Sequence, residues 1–437
     1  MSEPTSLTSP SILTIALAVL CVSFCVQSAV AQDGGETLSK RRQRLQDFQD
    51  PLYEDFDDAR AEFRKTSSRK FLTVMNNGIK VGLDNGRLEE GVDHKLKMLT
   101  DTQLSREQLQ EETRDVIKIL NSSGRLLAGG KKTKFRERVF EFALKRVDTL
   151  LLKNNYACRI SAINIMGGLN AQERPLVPYC KSAKRLLAIA SNEEELPEFR
   201  GLAFMALNRM VKFGGKKFAR ADELAVLDAL SKALAADNPQ MDRESANAFY
   251  ILLSLCLENV KLDTNAGGTP VGMQALATSM QARGGLGGMP PRSFQVRAAA
   301  ARALANTGTG QPPVNYKPIA YGVAQLAIEM GNEYNRQMGM RPFPRDGIKF
   351  PNIVDLLLAF TGPDGKGGMR SRAGEDPLVK EAYKILIEIV RPTIGGKKIP
   401  NKPLADLSAW LQKNKPASMK YHPKAPPLSG PGENGNQ

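Results

Sequence analysis

Three observations predict an all-α fold for this chain of 437 residues. A pattern of arginine, two variable residues and alanine occurs at Arg159-x-x-Ala162, Arg200-x-x-Ala203, Arg243-x-x-Ala246 and Arg297-x-x-Ala300, and each copy opens a segment of helical hydrophobic period. Aromatic residues make up only 6% of the chain while Ala and Leu are abundant, which favours helices over sheets. No long stretch shows the period-two alternation of a half-buried strand.

The four copies are 41, 43 and 54 residues apart. Aligned on their arginines, the third position is always Ala, the sixth is Ile165, Ala206, Phe249 or Ala303, and the seventh is Met166, Leu207, Tyr250 or Leu304. The tenth is Leu169, Met210, Leu253 or Thr307, so the shared apolar stripe covers one face of a helix and breaks only at the last copy. The constant alanine suits close helix approach, because a single methyl lets a neighbouring helix pack tightly.

A second amphipathic segment is expected ahead of each copy, at 136–152, 179–191, 221–236 and, less regularly, 270–283. Asn154, Glu195 and Asn238 lie five residues before the arginine, with Pro197 and Pro239 close to a first turn, and these are helix-start chemistry. Arg292 holds that place in the fourth copy, where the pattern weakens.

On these residues the chain resembles the HEAT-repeat and armadillo-type family of α-solenoids, whose second helix reads Val-Arg-x-x-Ala-x-x-Ala-Leu. Residues Val296 to Leu304 are close to that consensus, as are Phe199 to Leu207. Cys158 and Asp242 depart from its valine, and the usual turn aspartate is replaced by Asn, Glu, Asn and Arg. The resemblance spans about residues 133–310. It implies stacked helix pairs and a binding surface, and it carries no activity.

The remaining elements follow in order. Residues 1–31 read as a signal peptide, with an apolar run from Ile12 to Val26 and Ala29-Val30-Ala31 at a cleavage position. Their first eleven residues carry Glu3 and no Lys or Arg, so the positive end rests on the terminal amine; the rival is an uncleaved membrane anchor. Bulky Val19 and Leu20 ahead of Cys21 argue against a lipoprotein. Residues 32–130 are expected to be a charged linker and an N-terminal helical cap, and 131–310 the helix pairs. Gly-, Met- and Pro-rich sequence at 264–292 accounts for the long third interval as an inserted loop. Further irregular stretches are expected at 307–316 and 331–350. Residues 311–415 read as degenerate helical repeats, with helices at 353–360, 378–390 and 404–411, and 416–437 as a disordered basic tail.

Loss of the leader removes one acidic residue and raises the net charge from +15 to +16. The cations cluster at 131–138 and 397–424, a field that attracts anionic partners. Three cysteines remain, Cys158, Cys180 and Cys256, without metal-ligand spacing; they read as buried apolar residues, with one Cys158–Cys180 bridge as the alternative.

Catalytic and cofactor-binding residues are not recognisable. The two histidines, His94 and His422, read as lone surface residues, and no dinucleotide fingerprint, nucleophile elbow or HExxH is present. Gly124 to Thr133 is one residue out of register for a phosphate-binding loop and has Lys132 where a hydroxyl belongs. Gly-Gly-Lys-Lys recurs at 129–132, 214–217 and 395–398. Its default role is a helix C-cap, with Gly in the left-handed conformation and Lys at the negative dipole end. The alternative is that Lys131, Lys132, Lys216, Lys217, Lys397 and Lys398 line one edge and hold an anion, which fails if the loops lie on different faces. Glu193-Glu194-Glu195 reads as dipole compensation before a helix.

The expectation is an exported, non-enzymatic binding scaffold, periplasmic or secreted after cleavage near Ala31. Its partner is a protein or an anionic envelope polymer. No cofactor and no nucleic acid are expected, and membrane contact only through an uncleaved leader. The alternative is an enzyme or enzyme subunit with scattered catalytic groups.

Overall fold

The computed structural model describes residues 38–428 apart from 49, 81, 153–154, 237, 239–240, 261–269, 282–291, 308–312, 341, 345–346, 364, 366 and 375. The leader, both Gly-rich stretches within 261–291, Asn154 and Pro239 therefore lie outside the described residues. What is described is all-α, with 18 helices and one two-stranded antiparallel hairpin.

The first five helices are α1 (Leu38–Asp47), α2 (Phe56–Thr66), α3 (Ser68–Asn77), α4 (Asp84–Lys97) and α5 (Arg106–Asn121). Asp55 caps α2 by accepting from the Asp57 and Asp58 amides, and Ser105 and Gln108 form a capping box on α5. The stretch expected to be a linker thus starts with a helix, α1, held by charge: Arg42 Nε lies 2.6 Å from Glu198 Oε1, and Arg41 lies 3.7 Å from Glu195.

His94 is not a surface residue. It is buried on α4, hydrogen-bonded through Nδ1 to Tyr53 Oη at 3.1 Å and stacked on Phe63 with ring centroids 4.0 Å apart. Burial and the neighbouring Lys95 and Arg60 lower its pKa from 6.5 to about 4. The unfolded chain therefore takes up this proton first, and the contribution is complete above about pH 6.5 and lost as pH falls toward 4. Urea midpoints measured from pH 7 to pH 4 are expected to fall less steeply for His94→Phe than for the natural chain.

The middle of the chain forms α6 (Gly129–Leu150), α7 (Tyr156–Gly168), β1 (Asn170–Glu173), β2 (Leu176–Pro178), α8 (Ala183–Ser191) and α9 (Pro197–Gly214). It continues with α10 (Arg220–Ala235), α11 (Arg243–Asn259), α12 (Val271–Gln281) and α13 (Phe294–Asn306). Side-chain caps come from Asn155, Asp242 and Ser293, while α9 starts with Pro197 at its first turn. Capping thus falls on Asn155, next to the expected Asn154, and on Asp242, four residues beyond the expected Asn238. Helices α7, α9, α11, α13 and α15 (Phe350–Thr361) lie side by side in one layer, each against the next. Helices α8, α10 and α12 form a second layer and pack back on α9, α11 and α13.

Small residues sit where these helices come closest. Ala162, Ala203 and Ala300 are fully buried, and a Cβ added at Gly167 would lie 2.6 Å from the Ala206 Cβ. The third copy departs from the common register. Arg159, Arg200 and Arg297 are each the fourth residue after their cap, whereas Arg243 directly follows Asp242, is exposed, and leaves Ala246 half-buried.

The buried arginines serve the helix ends of the second layer. Arg200 Nε donates to Ala190 O at 3.1 Å and Arg297 Nε to Met280 O at 2.9 Å, the last turns of α8 and α12. Arg292 Nη2 does the same for α10, donating to Leu234 O at 3.0 Å and Ala236 O at 2.9 Å. Each places a cation on carbonyls at the negative end of a helix dipole. Arg159 and Arg200 also lie over Phe199 and Phe249 of the next helix in the first layer, 5.8 and 5.3 Å from the ring centroids.

The last elements besides α15 are α14 (Tyr316–Gln337), α16 (Gly368–Arg372), α17 (Pro377–Ile394) and α18 (Asn401–Lys413). The irregular stretch expected from 331 is helical as far as Gln337. The tail is not disordered over 416–428. Asn315 N donates to Tyr421 O at 2.9 Å, and Tyr421, His422, Ala425 and Leu428 are buried. His422 is therefore not a surface residue either.

Candidate functional site

Hydrogen bonds between helix ends define two opposite edges. Asn121 Nδ2, at the end of α5, donates to Gly168 O at 3.0 Å, and Asn121 Oδ1 accepts from Asn170 N at 2.8 Å. Arg209, near the end of α9, donates to Gly167 O at 2.7 Å and also bonds Asn170 Oδ1. Arg302 joins Glu258, near the end of α11, at 3.5 Å to Asp355 of α15 at 3.1 Å, and Asn306 donates to Leu358 O. Burial raises the pKa of both Glu258 and Asp355, while Arg302 opposes that shift. Helices α5, α7, α9, α11, α13 and α15 consequently run parallel and end at a common first edge.

Helices α6 and α8 begin at that edge. Arg136, early in α6, donates to Ala171 O at 3.4 Å, and a Cβ added at Gly214 would meet Cys180 Sγ, just before α8, at 3.1 Å. Helix α3 also ends there, since Gly124 N and Leu126 N donate to Met75 O and Asn76 O. The first edge therefore carries the connections that follow α3 and α5, the β1–β2 hairpin and 214–219 in succession.

The C-terminal helices turn this arrangement round. Lys317 at the start of α14 lies 3.3 Å from Asp376, the cap of α17, so α17 starts at the first edge. Asn335, late in α14, exchanges two 2.7 Å hydrogen bonds with Ile399, so α17 ends at the opposite edge.

These directions separate the six lysines. Lys131, Lys132, Lys216 and Lys217 are on the first edge, and Lys397 and Lys398 are on the opposite one, so the three Gly-Gly-Lys-Lys loops do not line a single edge. All six are exposed except Lys132, which is half-exposed. The capping role also divides. Gly215, with φ of +52°, follows α9, and Gly396, with φ of +62°, follows α17, as a C-cap glycine would. Gly129 instead begins α6, which puts Lys131 and Lys132 at the positive end of the helix dipole. That placement disfavours cations locally and makes the pair a better site for an arriving anion.

Sequence reasoning missed the apolar residues of this edge. Leu83, Leu126, Leu176 and Phe213 are 73, 69, 40 and 42% exposed, one on each of the four successive connections or helix ends. Their only sequence signal is a neighbouring cation, as in Arg125-Leu126 and Lys212-Phe213. A shallow depression of about 500 Å³ lies beside Leu126 alone of these, lined along α3 by Ser68, Arg69, Leu72 and Asn76 and by Arg64 of α2 among others.

The other candidate groups are accounted for by packing. Cys158, Cys180 and Cys256 are free thiols; burial pushes Cys158 and Cys256 up to about 12 and raises Cys180, so all are held protonated. Glu195 lies 2.7 Å from Arg159 and accepts from Leu196 N, joining charge pairing to the helix start. Among the described residues, no group of three or more His, Cys, Asp or Glu is placed to hold a metal ion. Comparison with protein-family models and with curated proteins finds no match to this chain.

Proposed function

We propose that the chain is an exported, non-enzymatic binding scaffold, a HEAT-like solenoid over α6–α13, and that its partner docks along the first edge. The observation that carries this reading is the succession of parallel first-layer helices whose connections, with Lys131, Lys132, Lys216 and Lys217, emerge on one side. A stacked helix pair fixes only a framework, and the loops at its edge are free to differ and to recognise. The partner is a protein or an anionic surface polymer. Lys397 and Lys398 are left out because they lie at the opposite edge.

The test is affinity capture from the envelope fraction of the producing cell with the natural chain and with Lys131, Lys132, Lys216 and Lys217 all changed to Glu. The natural chain is expected to retain a partner that the variant loses at physiological salt. Equal recovery by both ends the electrostatic part of the reading. Sequencing of the accumulated protein is expected to give a new N-terminus at Gln32, and an intact Met1 would remove export by cleavage.

A further inference from the structure

The first edge pairs its cations with exposed apolar side chains at every step. Lys80 precedes Leu83, Arg125 precedes Leu126, Arg174 precedes Leu176, and Lys212 precedes Phe213, all of them exposed. Lys131, Lys132, Lys216 and Lys217 add to the same side. Exposed large apolar residues cost free energy in water, and a succession of them interleaved with cations marks a contact surface; Met340, Phe343, Phe350 and Ile394 are also exposed, at connections of the opposite edge. The four lie on successive connections and element ends, spread along the edge and not gathered in one pocket, so they suit an extended, deformable partner surface.

From this we infer that the first edge is a peripheral docking surface for an anionic phospholipid bilayer, with Leu83, Leu126, Leu176 and Phe213 entering the interface and the lysines and arginines meeting headgroup phosphates. It rests on reading this edge as the partner-binding surface. Leu and Phe tips gain by leaving water for the acyl boundary, while flanking cations stay at headgroup depth, and the two terms act together on a charged membrane. An anionic polysaccharide would engage the cations and gain nothing from the four apolar tips. No described helix is long and apolar enough to cross a membrane, so this contact is interfacial.

The structure supplies an internal control. Ile394, Lys397 and Lys398 repeat the same local sequence as Phe213, Lys216 and Lys217, with Ile394 66% exposed, yet they sit at the opposite edge. The experiment is sedimentation with vesicles of phosphatidylcholine alone or with phosphatidylglycerol, set beside binding of soluble polyphosphate. The proteins are the chain as its producing cells accumulate it and variants that keep the same N-terminal segment. Leu126→Gln with Phe213→Gln, which removes the apolar tips without adding charge, is expected to lower partitioning onto anionic vesicles at least about ten-fold while leaving polyphosphate binding unchanged. Changing Lys131, Lys132, Lys216 and Lys217 to Ala is expected to lower both, the vesicle arm by roughly a hundred-fold or more. Ile394→Gln is expected to change neither.

A Phe213→Trp variant reads insertion directly, because the only natural tryptophan, Trp410, is buried. Its fluorescence is expected to be quenched by vesicles carrying brominated acyl chains. Absence of quenching, or equal vesicle binding by the Leu126→Gln and Phe213→Gln variant, overturns the bilayer inference. Polyphosphate binding that persists when vesicle binding is absent leaves the scaffold reading standing with a soluble polymer as partner; loss of both in the natural chain ends both. The substituted positions are exposed, and unchanged thermal melts confirm that each variant is folded.

Discussion

Gly167→Ala is expected to destabilise the protein, although alanine is the better helix former. The substitution gains about 1 kcal/mol of helix propensity. The new methyl group, however, would stand 2.6 Å from the Ala206 Cβ and 3.5 Å from its Cα, so the neighbour that must move is a helix backbone. Overpacking of this kind costs roughly 1–3 kcal/mol and more for larger groups. A net loss of about 1 kcal/mol is expected for Ala and of about 3 kcal/mol or more for Gly167→Leu, read as falls in the urea midpoint at constant slope. Gly130 provides the opposite case. It lies in the first turn of α6 with nothing within 4 Å of an added Cβ, and Gly130→Ala is expected to stabilise by a few tenths to about 1 kcal/mol. Stabilisation by both substitutions would mean that α7 and α9 are not in the close contact described.

Arg292→Ala is the second large loss expected. The guanidinium donates to Leu234 O and Ala236 O and lies 3.5 Å from the centroid of the Tyr250 ring, and the residue is buried. Hydrogen bonds from a charged donor contribute about 1.5–3 kcal/mol, and a desolvated cation over an aromatic face adds up to about 2 kcal/mol. Allowing for overlap between these terms, about 3 kcal/mol is expected to be lost. Tyr250 Oη also donates to Ala236 O, at 3.0 Å, so the two residues share an acceptor. Tyr250→Leu combined with Arg292→Ala should therefore cost less than the two single changes added together. Arg292→Lys is expected to recover only part of the loss, because an ammonium can donate to the two carbonyls that Nη2 reaches but has no planar face to lie on the Tyr250 ring. Strict additivity in this cycle would show that the stacking seen in the structure has no energetic weight.

The sequence made α10 legible almost to the residue, 221–236 expected against Arg220–Ala235 observed, because the apolar period and the polar breaks agree there. It misplaced the third motif copy. The letters Arg-x-x-Ala recur, but the cap at Asp242 starts the helix one turn closer to that arginine, and a pattern of letters does not register where a helix begins. The tail was misread for a related reason. Pro, Gly and Lys describe a chain without its own regular structure, and burial of Tyr421 depends on α14, which lies about a hundred residues earlier.

The candidate site was half visible. Lysine pairs stand out in any sequence, whereas an exposed Leu126 and a buried Leu144 are written with the same letter. The opposite placement of 214–217 and 395–398 was not legible at all. The reversal of α17 is set by Lys317 with Asp376 and by Asn335 with Ile399, contacts 59 and 64 residues apart in the chain. Nothing local to the tetrapeptide distinguishes its two settings.

The reversal of α17 and the return of residues 416–428 have a consequence for assembly. Helices laid side by side in one direction leave an apolar flank at each end, and a flank that can accept the next helix of its own chain can also accept another molecule. Such head-to-tail contacts do not close on themselves and grow into open filaments. Here the final helices turn back on α14, and Leu428 reaches within 3.7 Å of a Cβ placed at Gly322 in its middle. The side of α15 turned away from α13 is occupied by α17 of the same molecule, and so is not presented to a head-to-tail neighbour.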